Sequence, residues 1–514
     1  MWNLRSRHGN RSGNGGSSIG RKHVQRLGWI ALVIIVSVYA NAQATLPTSE
    51  VLIAPMGGFN AYWANGLNVA ASSSGELFTD SDGSRWGCYA NTSPIVPIVF
   101  HIVGSTVTST NPGLTAWSTN DTHNACTLAI DSSGFIWMCY DQHVTALNCY
   151  KSNSARNASA FTKVSPLVNS TNEANVTFPV LFTNPSTHAL YLIYLQGTGF
   201  QTERGFFYCY NAGTLTWSGC AGTSTNGQMF SNSFPSTWLQ GLPQWDKTTG
   251  YAWFSWQWQD ATTPFWNCGD ATAYPCAEWT VGWTGSGFVD IHGNAIALPM
   301  TPTNPNPAVT IHSGIGPSFS ILDSTSIDSN ETLFMPFIDV DVNGFLQIYV
   351  TWANLHTGTT GGPIQLTSNN SVFNPPSGAG WLGPSNNCAN APYSCGEYVG
   401  TVAAISSGAC TWVTYPDWFN WGNGLAAYKS CDNFSSSTFV YLSSRFSPNE
   451  NIFPDQVRNY TTGAISLLFE QTNNTQFNFS TFISSQPNLY EITWSPGGSV
   501  INNSATLSGA ANLQ

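Results

Sequence analysis

Asp339-Val340-Asp341-Val342-Asn343-Gly344-Phe345-Leu346-Gln347 is the stretch of this chain whose residue types best suit holding an ion. Oxygen-bearing side chains at Asp339, Asp341 and Asn343 alternate as ligands around a hard cation such as calcium do, and the glycine permits the sharp bend between them. An EF-hand loop would continue into a helix with a glutamate at its twelfth position. Here an Ile348-Tyr349-Val350 run follows, and Val350 stands at that position. Gln347, at the ninth position, completes the candidate set without adding charge. The same residues also make an ordinary Asx turn with no metal. Both readings stand at this stage, and a calcium held here would be structural.

Aromatic clusters offer a second kind of chemistry. Tyr415-Pro416-Asp417-Trp418-Phe419-Asn420-Trp421-Gly422 reads as an aromatic loop, in which Trp418 and Trp421 would stack on apolar sugar faces while Asp417 bonds hydroxyls. Asp417, Trp418 and Trp421 are therefore the ligand-binding candidates. Trp253-Phe254-Ser255-Trp256-Gln257-Trp258 alternates as a strand does, and there packing between sheets is the expected role.

No catalytic residue is assigned. Glycoside hydrolysis needs two convergent carboxylates; Asp260, Glu278, Glu397, Asp417 and Glu470 lie in aromatic-rich contexts, but their convergence is not written in the sequence. Residues 45–514 have no G-x-S-x-G elbow, no H-E-x-x-H pair and no phosphate loop. His101, His123, His143, His188, His292, His312 and His356 are scattered, and Arg85, Arg156, Arg204, Arg445 and Arg458 share no common context.

The elements that must position such residues announce themselves as turns. Asp80-Ser81-Asp82-Gly83-Ser84-Arg85-Trp86 and Asp131-Ser132-Ser133-Gly134-Phe135-Ile136-Trp137 share the pattern D-x-x-G-x-x-W. Looser copies follow at Asn184, Asp246, Asp341, Ser406 and Asn459. Marked by their glycines, or by Thr187, the turns fall at 83, 134, 187, 250, 344, 408 and 463, in steps of 51, 53, 63, 94, 64 and 55. Short strands recurring at this period predict propeller blades, about seven of them with six or eight as neighbouring counts, each a four-stranded antiparallel sheet. A β-sandwich array would show less uniform spacing. The long step predicts an insertion around residues 260–330. Strands at 50–55 and 59–63 precede the first turn, and strands at 476–484 and 489–494 follow the last, so both termini can complete one shared blade.

Composition agrees with an all-β fold. Of 514 residues, 42 % are hydrophobic, only 8 % are charged and 21 are tryptophan. Residues 1–44 carry six of the 15 basic residues and no acidic one; the remainder sets nine basic against 26 acidic residues, a net of −17. Such a body lacks the clustered cations that nucleic acid or anionic lipid requires. The basic lead and the 14-residue apolar run from Leu27 to Ala40, followed by Ala-x-Ala patterns, predict a signal peptide over 1–44, or alternatively a type II signal anchor with the body outside the cytosol. Residues 45–514 form the propeller domain.

The 12 cysteines suit export. Cys139 and Cys149, Cys209 and Cys220, Cys268 and Cys276, Cys388 and Cys395, and Cys410 and Cys431 are close neighbours, leaving Cys88 and Cys126. All are expected in disulfides, with connectivity open. Sequons at Asn91, Asn120, Asn157, Asn169, Asn175, Asn330, Asn369, Asn433, Asn459, Asn473, Asn478 and Asn502 are candidate N-glycosylation sites.

The turn motif resembles the blade turns of several extracellular and sensor β-propellers, and the Asp339 loop is similar to the calcium loops of integrin-type propellers, where an aspartate takes the place of Gln347. The S-x-D-x-G-x-T-W box of sialidase-type propellers is not matched. The resemblance implies a fold rather than a family. The expected function is a secreted, disulfide-stapled, N-glycosylated binding or adhesion module whose partners are glycans or extracellular proteins. A carbohydrate-active hydrolase or lyase on the same scaffold and a structural coat or wall glycoprotein are the alternatives.

Overall fold

The computed structural model describes residues 43–45, 48–54, 77–91, 95–117, 126–198, 204–231, 237–239, 243–258, 277–300, 310–313, 321–322, 325–340, 346–368, 402–416, 425–442, 451–457, 465–471, 488–495 and 501–503. Thr45–Ile501 form one unit, which carries the sheets described below; residues 1–44 and 502–514 form another.

The motif turn shows how the sequence builds a blade. The Asp131 N–H donates to the Phe135 carbonyl at 3.0 Å and the Gly134 N–H to the Asp131 carbonyl at 2.8 Å, with Gly134 at φ 82°. The Asp131 carboxylate caps the turn, Oδ1 accepting from the Ser133 and Phe135 N–H groups at 2.9 and 3.0 Å. Its Oδ2 accepts the Trp137 indole N–H at 2.8 Å, a bond that Trp86 in the other full copy does not make to Asp80. The turn joins Cys126–Ile130 to Ile136–Tyr140, two strands buried throughout.

Seven sheets follow one another along the chain. Blade 1 contains Phe78–Thr79, Arg85–Ala90, Pro97–Val103 and Thr106–Thr110; blade 2, Cys126–Ile130, Ile136–Tyr140, Cys149–Ser154 and Asn157–Lys163; blade 3, Val176–Thr183, Leu190–Gln196, Arg204–Asn211 and Thr216–Gly219. Blade 4 is centred on Ala252–Trp258 and Ala277–Trp283, with Thr237–Leu239 and Gln244–Trp245 on one side and Phe288–Val289 on the other. Blade 5 pairs Ile321–Leu322 and Ser326–Ile327 with Thr332–Val340, then Leu346–Asn354 and Thr360–Gln365. Blade 6 runs Ala403–Ser407, Cys410–Pro416, Leu425–Ser430 and Thr438–Tyr441. Blade 7 takes Asn451–Val457, Ile465–Gln471 and Asn488–Trp494, and its fourth strand is Thr48–Ala54 from the other end of the chain. The ring is closed by the shared blade that strands 50–55 and 489–494 predict. The expected strands at 59–63 and 476–484 lie outside the described residues.

Both faces of each blade are covered, so inner strands read as unbroken apolar runs rather than alternating ones. Leu190, Leu192 and Tyr194 pack towards blade 2 with Ala129, Trp137 and Leu147, whereas Tyr191, Ile193 and Leu195 pack towards blade 4 with Phe254, Val281 and Trp283. Trp253 and Trp256 are both buried on opposite faces of their strand and fill the wedges on either side.

Four disulfides form among the described residues. Cys139–Cys149, Cys209–Cys220 and Cys410–Cys431 join sequence neighbours, and Cys88–Cys126 ties blade 1 to blade 2. Cys268, Cys276, Cys388 and Cys395 lie outside the described residues.

One turn is corrected. Gly344 lies between the second and third strands of blade 5, not between its first two. The true counterpart of the motif turn is Asp328–Thr332. There the Asp328 N–H donates to the Thr332 carbonyl at 3.0 Å, and Glu331, at φ 59°, takes the glycine's place. Blade 3 differs too: His188, not Thr187, holds the left-handed position, at φ 54°.

Candidate functional site

The antiparallel blade meander puts two kinds of connection at opposite ends of the ring. First-to-second and third-to-fourth strand turns, including every motif turn, share one end. Second-to-third loops and blade-to-blade connections share the other.

At that second end, blades 2 and 3 build a continuous row. The loop Asp141–Asn148 is stapled by buried Gln142, whose Nε2 donates to the Ala146 carbonyl at 2.9 Å and whose Oε1 accepts the Asn148 N–H at 3.1 Å. The Thr145 hydroxyl donates to the Asp141 carbonyl at 2.7 Å. The loop then bonds to blade 3: Thr145 and Val176 exchange backbone hydrogen bonds, and the Val144 N–H donates to the Thr177 hydroxyl at 3.0 Å. Its far side rests on Glu173, whose carbonyl accepts the Leu147 N–H. The Glu173 carboxylate, itself buried, gathers the N–H groups of Leu167, Val168 and Asn169 at 2.7, 2.7 and 3.0 Å.

His143 is carried, half-buried, in this braced loop, its ring stacked at 6.1 Å from Phe178. Asp141, Val144 and Phe178 all adopt left-handed backbone, at φ 64°, 54° and 52°. Each costs on the order of 1 kcal/mol for a residue with a Cβ, and such strain concentrates where a structure must hold a side chain in place.

The row continues from Val176 to Gln196 and from Gln196 to Arg204, which are direct cross-strand partners. Partners of this kind project on the same face with Cβ atoms about 5 Å apart. The Oε1 of buried Gln196 and the Nε of half-buried Arg204 both lack a hydrogen-bond partner. An unmet buried polar atom costs about 1–3 kcal/mol. Two such atoms on partnered residues make this a polar spot that blade 3 itself leaves under-satisfied. On the same face lie Tyr194 and Tyr208, whose hydroxyls meet at 2.8 Å. Burial pushes the Tyr208 phenol up to about 12 and the Tyr194 phenol higher still, so both stay protonated at neutral pH.

The residues singled out in the sequence are placed as follows. Asp339 lies on Thr332–Val340 directly opposite Gln347, and Asp341 and Asn343 fall outside the described residues. Gln347 is buried, its Oε1 accepting the Thr367 hydroxyl at 2.8 Å. Among the described residues no three His, Cys, Asp or Glu side chains gather as a metal site would require. Asp417, Trp418 and Trp421 fall outside the described residues, between the second and third strands of blade 6. Of the sequons, Asn157 and Asn330 are exposed and Asn433 is half-buried; the Asn330 amide nitrogen donates to Asp328 Oδ2 at 3.2 Å. Asn120, Asn369, Asn459, Asn473 and Asn478 lie outside. Among the described residues no helix is long and apolar enough to cross a membrane.

Gln196 was not legible as a site residue, and Arg204 and His143 looked like isolated polar residues. Their only sequence signal is that Arg204 is one of nine cations in the body.

Residues 105–358 match the model of the BNR repeat-containing family. No curated protein sequence matches the chain significantly. Among solved structures, the polysaccharide lyase Uly1 superposes with a TM-score of 0.59 over 88 % of this chain and 99 % of its own, at 11 % identity. A family PL25 ulvan lyase, solved bound to -[GlcA(1-4)Rha3S]-, gives 0.56 over 85 % and 100 %, also at 11 % identity. The chain is a β-propeller. Likeness at this identity speaks for the shared propeller architecture, which runs through almost the whole length of both relatives.

Proposed function

We propose that this propeller acts on an acidic polysaccharide at the loop end of blades 2 and 3, cleaving it by β-elimination. The observation that carries the reading is the pair of unmet polar atoms on Gln196 and Arg204, next to the braced loop that holds His143. The fold shared with two polysaccharide lyases supports it.

The chemistry divides among the residues. β-Elimination at a uronate removes the proton on C5, forms a C4=C5 double bond and expels the glycosidic oxygen on C4 with a proton. Loss of the C5 proton is slow while the neighbouring carboxylate is charged. A guanidinium presented to that carboxylate draws off the charge, and Arg204 fits this part because its planar fork matches a carboxylate. Gln196 would bond a sugar hydroxyl beside it. His143 is the candidate base, an imidazole being the commonest general acid–base group.

Glycan engagement is common to this reading and to the simpler one of an adhesion module without turnover. Four disulfides favour a body working outside the cytosol, where oxidising conditions keep them formed.

The test is to incubate the full chain with ulvan, alginate, polygalacturonate and hyaluronan and to follow the ultraviolet absorbance of the new double bond. One of them is expected to be cleaved. Arg204→Ala should lower kcat/KM at least about 100-fold, the scale of losing one preorganised charge stabiliser, with the melting temperature kept. Binding without a double bond in every case would replace the lyase with the adhesion module. Absence of both would remove the reading.

A further inference from the structure

The opposite end of the ring carries a cavity that the lyase reading does not use. It measures about 420 Å³ and sits between blades 2 and 3, among the strand turns. Its lining includes Ser132, His188, Leu190, Tyr210 and Asn211, beside Asp131. The size falls in the range of small-ligand pockets, about 300–1,000 Å³.

The turn that delivers His188 has close counterparts. In Asn184–Ala189 the first N–H bonds the sixth carbonyl, and the fifth N–H bonds the first carbonyl; Asp246–Tyr251 and Asn354–Thr359 repeat both bonds. At the fifth position those turns have Gly250 at φ 74° and Gly358 at φ 69°, while this one has His188 at φ 54°. Glycine adopts that backbone freely, whereas a residue with a Cβ does so uncommonly. Leu215, at φ 58°, is a further non-glycine in a turn of the same blade, but it does not line the cavity. His188 does, so its strained backbone places an imidazole at the cavity wall.

The remaining lining fixes the chemistry of an occupant. Tyr210 offers an aromatic face, braced by Trp137 at 4.8 Å and Trp217 at 5.3 Å, and Leu190 is buried beneath. Ser132 and Asn211 add polar groups at the exposed rim, the Asn211 Oδ1 being engaged by the Gly213 and Thr214 N–H groups. The Asp131 carboxylate is spent on its own turn and on Trp137, yet its charge reaches Tyr210, where, after burial, it helps raise the phenol. The Lys151 ammonium, 3.5 Å from the Tyr210 hydroxyl, offsets that charge, so the wall favours neither an anion nor a cation. One apolar ring face with donors and acceptors around it describes an uncharged sugar.

We propose that this cavity is a second carbohydrate subsite, at the end of the ring remote from Arg204, which takes one neutral sugar unit. It does not depend on the lyase reading.

The test uses saturation-transfer NMR on the full chain with D-glucose, D-galactose, D-mannose, D-xylose and L-rhamnose, and D-glucuronate as the charged control. At least one neutral sugar should bind in the millimolar range and more strongly than glucuronate. His188→Gly, which suits the backbone while deleting the imidazole, should weaken binding at least tenfold without lowering the melting temperature. Arg204→Ala should leave binding intact. The proposal is overturned if none of the neutral sugars binds, if glucuronate binds best, if His188→Gly binds as the parent does, or if Arg204→Ala abolishes the signal.

Discussion

Asp80 and Asp131 open the same five-residue turn yet spend their carboxylates differently. Asp131 accepts its own Trp137 indole. Asp80 instead receives Arg156 from blade 2 in a two-pronged bond, Nε to Oδ2 at 2.6 Å and Nη2 to Oδ1 at 3.0 Å. Its tryptophan, Trp86, stacks on His101 at 3.7 Å, and burial lowers the affinity of that imidazole for a proton. Burial alone would raise the Asp80 carboxyl; the Arg156 hydrogen bond, the Ser81 N–H and the Arg156 charge outweigh it and hold the group below its ordinary 3.8. A depressed acid contributes stability that is present above its unfolded pKa and lost as the pH falls through the folded one. Asp80→Asn should therefore lower the melting temperature at pH 6–7, and its deficit against the parent should close below about pH 4. A scanning-fluorimetry series across pH 3–7 checks it; a deficit independent of pH would assign the loss to packing instead.

Among the elements, the seam between blades 7 and 1 carries the ring closure. Thr48–Ala54 completes blade 7 by pairing with Asn488–Trp494. From that strand Glu491, fully buried, meets Arg85 of blade 1, with Nη2 donating to Oε2 at 2.8 Å while it also reaches the Gly104 carbonyl at 3.0 Å. Removing one partner strands the other charge in the interior, at a cost of about 3–5 kcal/mol, whereas replacing both with apolar residues is often close to neutral. Glu491→Ala should lose that much in urea denaturation, and Arg85→Met with Glu491→Leu should recover most of it. Equal losses in the single and double variants would show that the pair does not couple the seam.

For the whole molecule, long-range electrostatics are set by the net charge of −17 on residues 45–514. An acidic polysaccharide approaches against this field and is drawn in only by local cations such as Arg204. The Debye length shrinks from about 30 Å at 0.01 M salt to about 8 Å at 0.15 M, so salt removes long-range repulsion before it weakens a contact pair. For a cleaved acidic substrate, kcat/KM should rise over that interval and fall at higher salt. A monotonic fall from the lowest salt would mean that local cations outweigh the net charge.

How much of this was legible depends on the range of the interactions involved. The turns at Gly83, Gly134, Gly250 and Gly408 were legible because their hydrogen bonds close within a few residues, and the Asp–Gly chemistry repeats. Asp328–Thr332 escaped because Glu331 replaces the glycine, and the nearby Gly344 imitated it. The disulfides between sequence neighbours could be read from spacing, whereas Cys88–Cys126 was left over until blades 1 and 2 stood side by side. By itself, the sequence determined the all-β class, the blade period and the terminal strands that close the ring, since strand alternation and tight turns are local properties. Only the tertiary structure decided that Thr145, Val176, Gln196 and Arg204 form one row and that Asp131 and His188 share one cavity. Those juxtapositions arise from register between strands and packing between blades, and neither leaves a pattern in the order of residues.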